Sequence, residues 1–138
     1  MERSEETVID ASVAVKWFSE EEGSDRALAV RNEHIDGIRT LVAPDLLVYE
    51  IANALRFKPG FNPHVTARAL DDLFNLQVDI MAPSKELVSR GSELAYEYGI
   101  TVYDSLYLSL GELLGLEVIT ADKELYKKAE DCGFLRML

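Results

Sequence analysis

The sequence predicts an α/β fold, a three-layer α/β/α sandwich whose central sheet is twisted and mostly parallel. Short apolar runs such as Thr7-Val8-Ile9, Thr40-Leu41-Val42-Ala43 and Val118-Ile119-Thr120 alternate with longer stretches of helical periodicity. Apolar residues at consecutive positions suit strands buried on both faces, the habit of parallel sheets covered by helices. Glycines, prolines and small polar residues punctuate the boundaries between these segments. A length of 138 residues with 48% hydrophobic content is enough for a real core, and predicts one domain spanning residues 1–138.

The elements follow in chain order. Thr7 to Asp10 reads as a short buried strand, and Ser12 as the cap of a helix carrying Val13, Val15, Trp17 and Phe18. The acidic run Glu20-Glu21-Glu22-Gly23 reads as a solvated turn, after which Ser24 or Asp25 caps a second helix. Thr40 to Ala43 forms the next strand, and Pro44-Asp45 opens a helix that carries Glu50 near its middle. Two prolines and a glycine make 58–63 a loop. Helical periodicity resumes at Val65, Ala69, Leu70, Leu73 and Leu76, and the stripe Val65, Ala69, Leu73 and Leu76 suits burial in the monomer or a dimer surface. A strand is expected near Val78 to Met81, then a helix from Ser84 that stops at Gly99. Asp104 to Leu114 reads as helix, Glu117 to Thr120 as strand, Lys123 to Cys132 as helix, and Phe134 to Leu138 as a last short strand.

Composition narrows the function classes. Cys132 is the single cysteine, which excludes an intramolecular disulfide and a thiolate zinc cluster and fits a reducing cytoplasm. His34 and His64 are too few and too scattered for a zinc site. The polar opening at residues 1–6 lacks the pattern of a signal peptide, and no apolar run approaches the roughly 20 residues that span a bilayer, so a soluble protein is expected. A net charge of −11 argues against simple phosphate binding, or for a basic partner protein. Acids converging on one pocket reverse the first inference, because divalent cations there would attract a phosphate that the bare protein repels.

Four acids interrupt apolar sequence: Asp10, Glu50, Asp104 and Asp122. A carboxylate removed from water costs on the order of several kcal/mol unless a cation, a donor or a proton compensates. Taken singly, Asp104 and Asp122 suit helix caps and Asp10 a strand-end turn. Glu50, in mid-helix among apolar neighbours, has no such ordinary role. Asp10 and Asp122 fall just past predicted strands, where open parallel sheets bind ligands, and Glu50 and Asp104 sit on the helices that follow. Together the four present the oxygen donors that hard ions such as Mg²⁺ or Mn²⁺ require, so metal binding should weaken as pH falls.

The segments Val8-Ile9-Asp10-Ala11-Ser12, Tyr49-Glu50-Ile51-Ala52-Asn53-Ala54-Leu55, Tyr103-Asp104-Ser105-Leu106-Tyr107-Leu108 and Ile119-Thr120-Ala121-Asp122 resemble the four acidic motifs of PIN-domain ribonucleases. In order, spacing and length the chain is most similar to the VapC-type toxins of prokaryotic toxin–antitoxin (VapBC) pairs. The resemblance covers essentially the whole chain. It implies a PIN fold, Mg²⁺ or Mn²⁺ dependence, endonuclease action on RNA with 5′-phosphate and 3′-hydroxyl products, a homodimer, and a cognate antitoxin that occludes the site. By position it makes Asp10, Glu50, Asp104 and Asp122 the acidic metal-site residues, with Ser12, Asn53 and Thr120 as supporting polar side chains. Each of those three also has an ordinary reading, as helix cap, exposed helix residue and strand end.

The expected chemistry is hydrolysis of a phosphodiester by in-line attack of water, with Asp10 and Asp104 as direct metal ligands. Glu50 and Asp122 complete the shell through water or position the nucleophile. Lys16, Arg56 and Lys58 are the basic residues nearest the acids in sequence, and Trp17 and Phe61 are aromatic candidates for base stacking, with core burial the commoner fate. Two other classes compete. A catalytically silent PIN-like protein-binding module would keep the fold without the chemistry. An acidic phosphoacceptor-type regulatory domain would need paired acids after the first strand, which the chain lacks.

Overall fold

The computed structural model describes residues 5–138, so the polar opening read at 1–6 lies outside the described residues for 1–4. Among the described residues five strands form one sheet: β1 (Glu5–Ile9), β2 (Arg39–Pro44), β3 (Asp79–Met81), β4 (Val118–Thr120) and β5 (Leu135–Met137). Their order is β3-β2-β1-β4-β5 and every neighbouring pair is parallel, so the expected mostly parallel sheet is parallel throughout. From β1 the chain steps outward through β2 to β3, then crosses to the opposite side of β1 for β4. The direction of winding thus reverses between β1 and β4, and in open sheets such a switch point opens a crevice at the carboxyl ends of the strands.

The strands are connected by helices α1 (Ala11–Ala14), α2 (Ser24–Ile35), α3 (Leu46–Arg56), α4 (Pro63–Asn75), α5 (Lys85–Tyr98), α6 (Val102–Leu114) and α7 (Lys123–Ala129). Thr7, Val8 and Ile9 on β1, and Leu41, Val42 and Ala43 on β2, are buried at successive positions, so helices cover both faces of the sheet. Helix α6 packs on β1, β2 and β4 and is backed by α5, while α3 pairs with α4 across the turn between them. The stripe Ala69 and Leu73 of α4 is buried within the monomer. His34 serves the fold, accepting from the Leu41 backbone N–H at 3.0 Å through Nδ1 while its Nε2 lies 2.6 Å from the Leu76 carbonyl oxygen.

Several helix starts differ from expectation. Asp10, not Ser12, caps the first helix, which passes after Ala14 into a 3₁₀ turn over Val15–Trp17. Gly23, with φ of 84°, occupies the cap position of α2, while the Ser24 hydroxyl accepts from the Glu21 N–H and donates to the Ser19 carbonyl. Pro44 completes β2 instead of opening a helix, and Asp45 precedes α3 without a side-chain capping bond. Asn62 caps α4 and Pro63 begins it, which shortens the loop read over 58–63. Thr101 caps α6, placing Asp104 inside its first turn.

One glycine holds the site-bearing helix against the sheet. A Cβ on Gly111 of α6 would stand 2.5 Å from Val118 Cγ2 of β4 and 3.0 Å from the Leu116 carbonyl oxygen. Gly111→Ala is therefore expected to destabilise the fold by about 1–3 kcal/mol, the usual cost of overpacking and larger than the helix-propensity gain of about 1 kcal/mol. A lowered urea midpoint at unchanged slope checks this, and an unchanged or raised midpoint contradicts it.

Candidate active site

Asp10 leaves β1 directly and turns the chain into α1. Its Oδ1 accepts from the Ser12 backbone N–H at 3.1 Å and from the Ser12 hydroxyl, and its Oδ2 accepts from the Thr120 hydroxyl at 2.6 Å. Those two hydroxyls are themselves acceptors: Ser12 Oγ for the Ala121 N–H at 2.8 Å, and Thr120 Oγ1 for the Asp122 N–H at 3.0 Å. The network stitches the end of β1 to the end of β4, with Asp10 at its centre and almost wholly buried. Burial pushes the Asp10 carboxyl up to about 6; the hydroxyls of Ser12 and Thr120 oppose that rise and the charge of Asp104 adds to it.

Removing one donor tests this balance. Thr120→Val leaves Asp10 Oδ2 without its hydroxyl partner, so the Asp10 pKa of the metal-free protein is expected to climb further above its ordinary value. Carboxyl titration by NMR checks the direction, and an unchanged or lower value contradicts it.

Glu50 lies half-buried in the middle of α3, where its Oε1 accepts from the Tyr107 hydroxyl at 2.5 Å. Burial raises its pKa, the Tyr107 bond works against that, and the Asp104 charge reinforces it. Tyr107 is buried on α6, and its phenol is pushed up first by burial, then by the bond to Glu50 and the charges of Glu50, Asp10 and Asp104. It forms the floor of the acidic cluster and was not among the residues singled out from sequence. Its signal was available: it follows Asp104 by three residues and so shares that residue's helix face.

Asp104, half-buried, is raised first by burial and then by the charge of Asp122. The capping role considered for Asp104 belongs to Thr101, whose Oγ1 accepts from the Asp104 N–H at 3.0 Å. Asp122 does cap, its Oδ1 accepting from the N–H groups of Glu124 at 3.0 Å and Leu125 at 3.1 Å at the start of α7. The Asp104 charge adds, after burial, to the rise of both Asp10 and Glu50, as the Asp122 charge adds to its own.

Two adjoining depressions open at this edge. One, of about 510 Å³, is lined by Ser12, Lys16, Glu21, Glu50, Asn53 and Asp122 among others; a second, of about 310 Å³, includes Thr101, Asp104, Asp122 and Lys128. Asp122 forms the wall between them. Asn53 stands exposed on the cleft side of α3, and Thr120 is fully buried. Lys16 and Lys58 reach the first depression. Arg56 does not; it lies over the Phe57 ring at 5.0 Å and lines a separate groove with Phe61. Trp17 is buried and donates from Nε1 to the Ala27 carbonyl at 2.8 Å, which removes it from the stacking candidates.

Among the described residues no cation pairs with Asp10, whose side-chain partners are a backbone N–H and two hydroxyls. Burial and mutual repulsion raise Asp10, Glu50 and Asp104, and the donor atoms are all oxygen. That chemistry fits a hard divalent ion. Among the described residues no group of three or more His, Cys, Asp or Glu side chains is placed to hold a metal ion. Mg²⁺ commonly binds through only one or two carboxylates, its other positions taken by water and substrate phosphate, so an open pair of acids is sufficient.

A family model described as PIN domain matches residues 7–131. Ribonuclease VapC3 of Pyrobaculum aerophilum is 29% identical over 125 residues, covering 88% of this chain and 92% of that protein. Among solved structures, PAE2754 from Pyrobaculum aerophilum superposes with a TM-score of 0.66 at 23% identity, over 98% of this chain and 87% of that one. Mycobacterium tuberculosis VapC20, described as a toxin cleaving the sarcin–ricin loop, gives 0.69 at 12% identity, over 93% and 95%. A toxin–antitoxin complex from Klebsiella pneumoniae gives 0.66 at 18% identity, over 89% and 92%. The solved structures share the fold, and the family match, which runs from β1 through α7, establishes that the chain belongs to the PIN-domain family.

Proposed function

We propose that the chain is a divalent-metal-dependent endoribonuclease of the VapC kind, a single PIN domain over residues 1–138 that acts as the toxin of a type II toxin–antitoxin pair. The observation that carries the reading is the cluster at the strand ends: Ser12 and Thr120 hold Asp10, Tyr107 holds Glu50, and Asp104 and Asp122 line one depression. The relative named Ribonuclease VapC3 supports the choice of RNA as substrate.

Asp10 and Asp104 would hold Mg²⁺ or Mn²⁺. Bound there, the ion supplies a source of acidified water and neutralisation of the charge that builds on the phosphate. Ser12 and Thr120 keep the Asp10 carboxylate in one orientation through their hydroxyls. Tyr107 does the same for Glu50, leaving that carboxylate to orient the attacking water or take its proton. Asp122 borders both depressions and spends only Oδ1 on its cap, so Oδ2 is available to water in the cleft. Asn53 offers an amide on the cleft wall to the strand being cut. Water attacks phosphorus in line, the bond to the 3′ oxygen breaks, and a 5′-phosphate and 3′-hydroxyl result.

The reading includes an antitoxin and a second copy. A groove of about 460 Å³ between α3 and α4, lined by Ala52, Phe61, Pro63, Ala67 and Leu70, is the candidate seat for an antitoxin segment. Tyr96, Tyr103 and Leu113 on α5 and α6 are exposed and supply apolar surface for a homodimer. Among the described residues no helix is long and apolar enough to cross a membrane, and a cytoplasmic site of action is proposed.

The test is cleavage of a pool of structured RNAs by the purified protein in Mg²⁺, Mn²⁺ or chelator. Cutting that requires metal is the expected result. Metal binding by calorimetry with no cutting of any RNA would favour the silent binding module.

A further inference from the structure

Lys16 lies in the 3₁₀ turn after α1 and Lys58 just beyond α3, 42 residues apart in sequence, yet both reach one carboxylate. Lys16 Nζ donates to Glu21 Oε1 at 3.1 Å and Lys58 Nζ to Glu21 Oε2 at 2.8 Å, which gathers the two ammonium groups at one spot. Burial acts against the charge of Glu21, but the bonds and charges of Lys58 and Lys16 outweigh it and hold its pKa below the usual value. The trio is one cation in excess, and among the described residues these lysines are the cations that line the depression holding Glu50, Asn53 and Asp122. An ammonium carries three N–H donors. Lys16 spends one on Glu21 and one on the Glu22 carbonyl, and Lys58 spends one, so donors remain on both without breaking the bracket.

A chain with net charge −11 has little reason to fix two of its 14 cations in an acidic cleft for general attraction. A surface ion pair of this exposure contributes little to stability, on the order of 0–1 kcal/mol. We infer that Lys16 and Lys58 form a clamp for a single backbone phosphate of a nucleic-acid strand lying along the cleft, beside the phosphate that faces the acids. The inference rests on the proposed ribonuclease reading and names where the strand is held. Glu21 keeps the two ammonium groups together in the free protein, so the strand meets a preformed site.

The test uses the full chain carrying Asp104→Asn, so that RNA survives, and a fluorescein-labelled single-stranded RNA of mixed sequence as probe. Anisotropy is read in Mg²⁺ over a series of KCl concentrations. Lys58→Met, a change at a partly exposed side chain, is expected to weaken binding about three- to tenfold and to flatten the salt dependence by about 0.7 in log–log slope, the value for one phosphate contact to a single strand. Lys16→Met is expected to act in the same direction, and Lys85→Met at the exposed start of α5 to leave the slope unchanged. A purely structural bracket would lower the urea midpoint in the Lys58 variant without moving the slope. Equal slopes in the Lys58 and Lys85 variants, or no RNA binding by the parent at low salt, would overturn the clamp. Cleavage by the unmodified chain reports separately on the ribonuclease reading: cutting with equal slopes defeats only the clamp, and lysine-dependent binding without cutting defeats only the chemistry.

Discussion

Asp104→Asn is expected to slow RNA hydrolysis by at least about a thousandfold, equivalent to roughly 4 kcal/mol of barrier. The size follows from the residue's place: its charge acts on Asp10 and Glu50 together, and it is one of two carboxylates proposed to hold the ion. Loss of one negative ligand loosens the ion and removes its contribution to neutralising the phosphate. The fold should survive, because the start of α6 is capped by Thr101 and not by the Asp104 side chain. Single-turnover cleavage measured beside far-UV circular dichroism and urea unfolding separates the two effects. Near-normal cleavage by a folded variant would remove Asp104 from the site.

Asp10→Asn should abolish cleavage and yet stabilise the metal-free protein at neutral pH. The Asp10 carboxyl keeps its proton to about pH 6 in the folded chain against an ordinary value of 3.8. Between those values the folded state binds more protons than the unfolded one, so stability falls as pH rises through the window and stays reduced above it. The accumulated cost is on the order of 3 kcal/mol at pH 7. An amide carries no charge to bury and still caps a helix, so the variant is expected to gain about 1–3 kcal/mol at pH 7 in chelator, with the gain shrinking below about 1 kcal/mol near pH 4. Urea unfolding at the two pH values checks this. A variant less stable than the parent at pH 7 would mean that the carboxylate is not a burdened group in the metal-free fold.

Much of this architecture was legible in the sequence because its signals are local. Apolar runs of strand length, Asn62-Pro63 before a periodic stretch, and Gly99 and Gly115 after others each act over a few residues, and the parallel sheet follows from their alternation. The convergence of Asp10 and Asp122 could be read from strand ends alone. Helix starts were harder, since several polar residues compete for each cap. Ser12 was read as a cap, but Asp10 takes that position and turns the Ser12 hydroxyl toward itself. The links between distant segments left no local trace. Tyr107 to Glu50 spans 57 residues and Thr120 to Asp10 spans 110, and which side chains face one another is decided by how α6 seats on the sheet. Glu21 likewise read as part of a solvated run, and only the fold brings Lys58 to it.

The claim that the four acids work as one site is tested most directly by a cycle of amide variants. Cleavage of one RNA would be measured in Mg²⁺ for the parent, for Asp10→Asn, Glu50→Gln, Asp104→Asn and Asp122→Asn, and for the Asp10/Asp104 pair changed together. Groups that act as a unit lose most of their effect at the first substitution. The expected result is a loss of at least about a hundredfold in each single variant, with the double variant little worse than Asp104→Asn alone. Full activity in any folded single variant, or losses at Asp10 and Asp104 that simply multiply, would contradict a shared site.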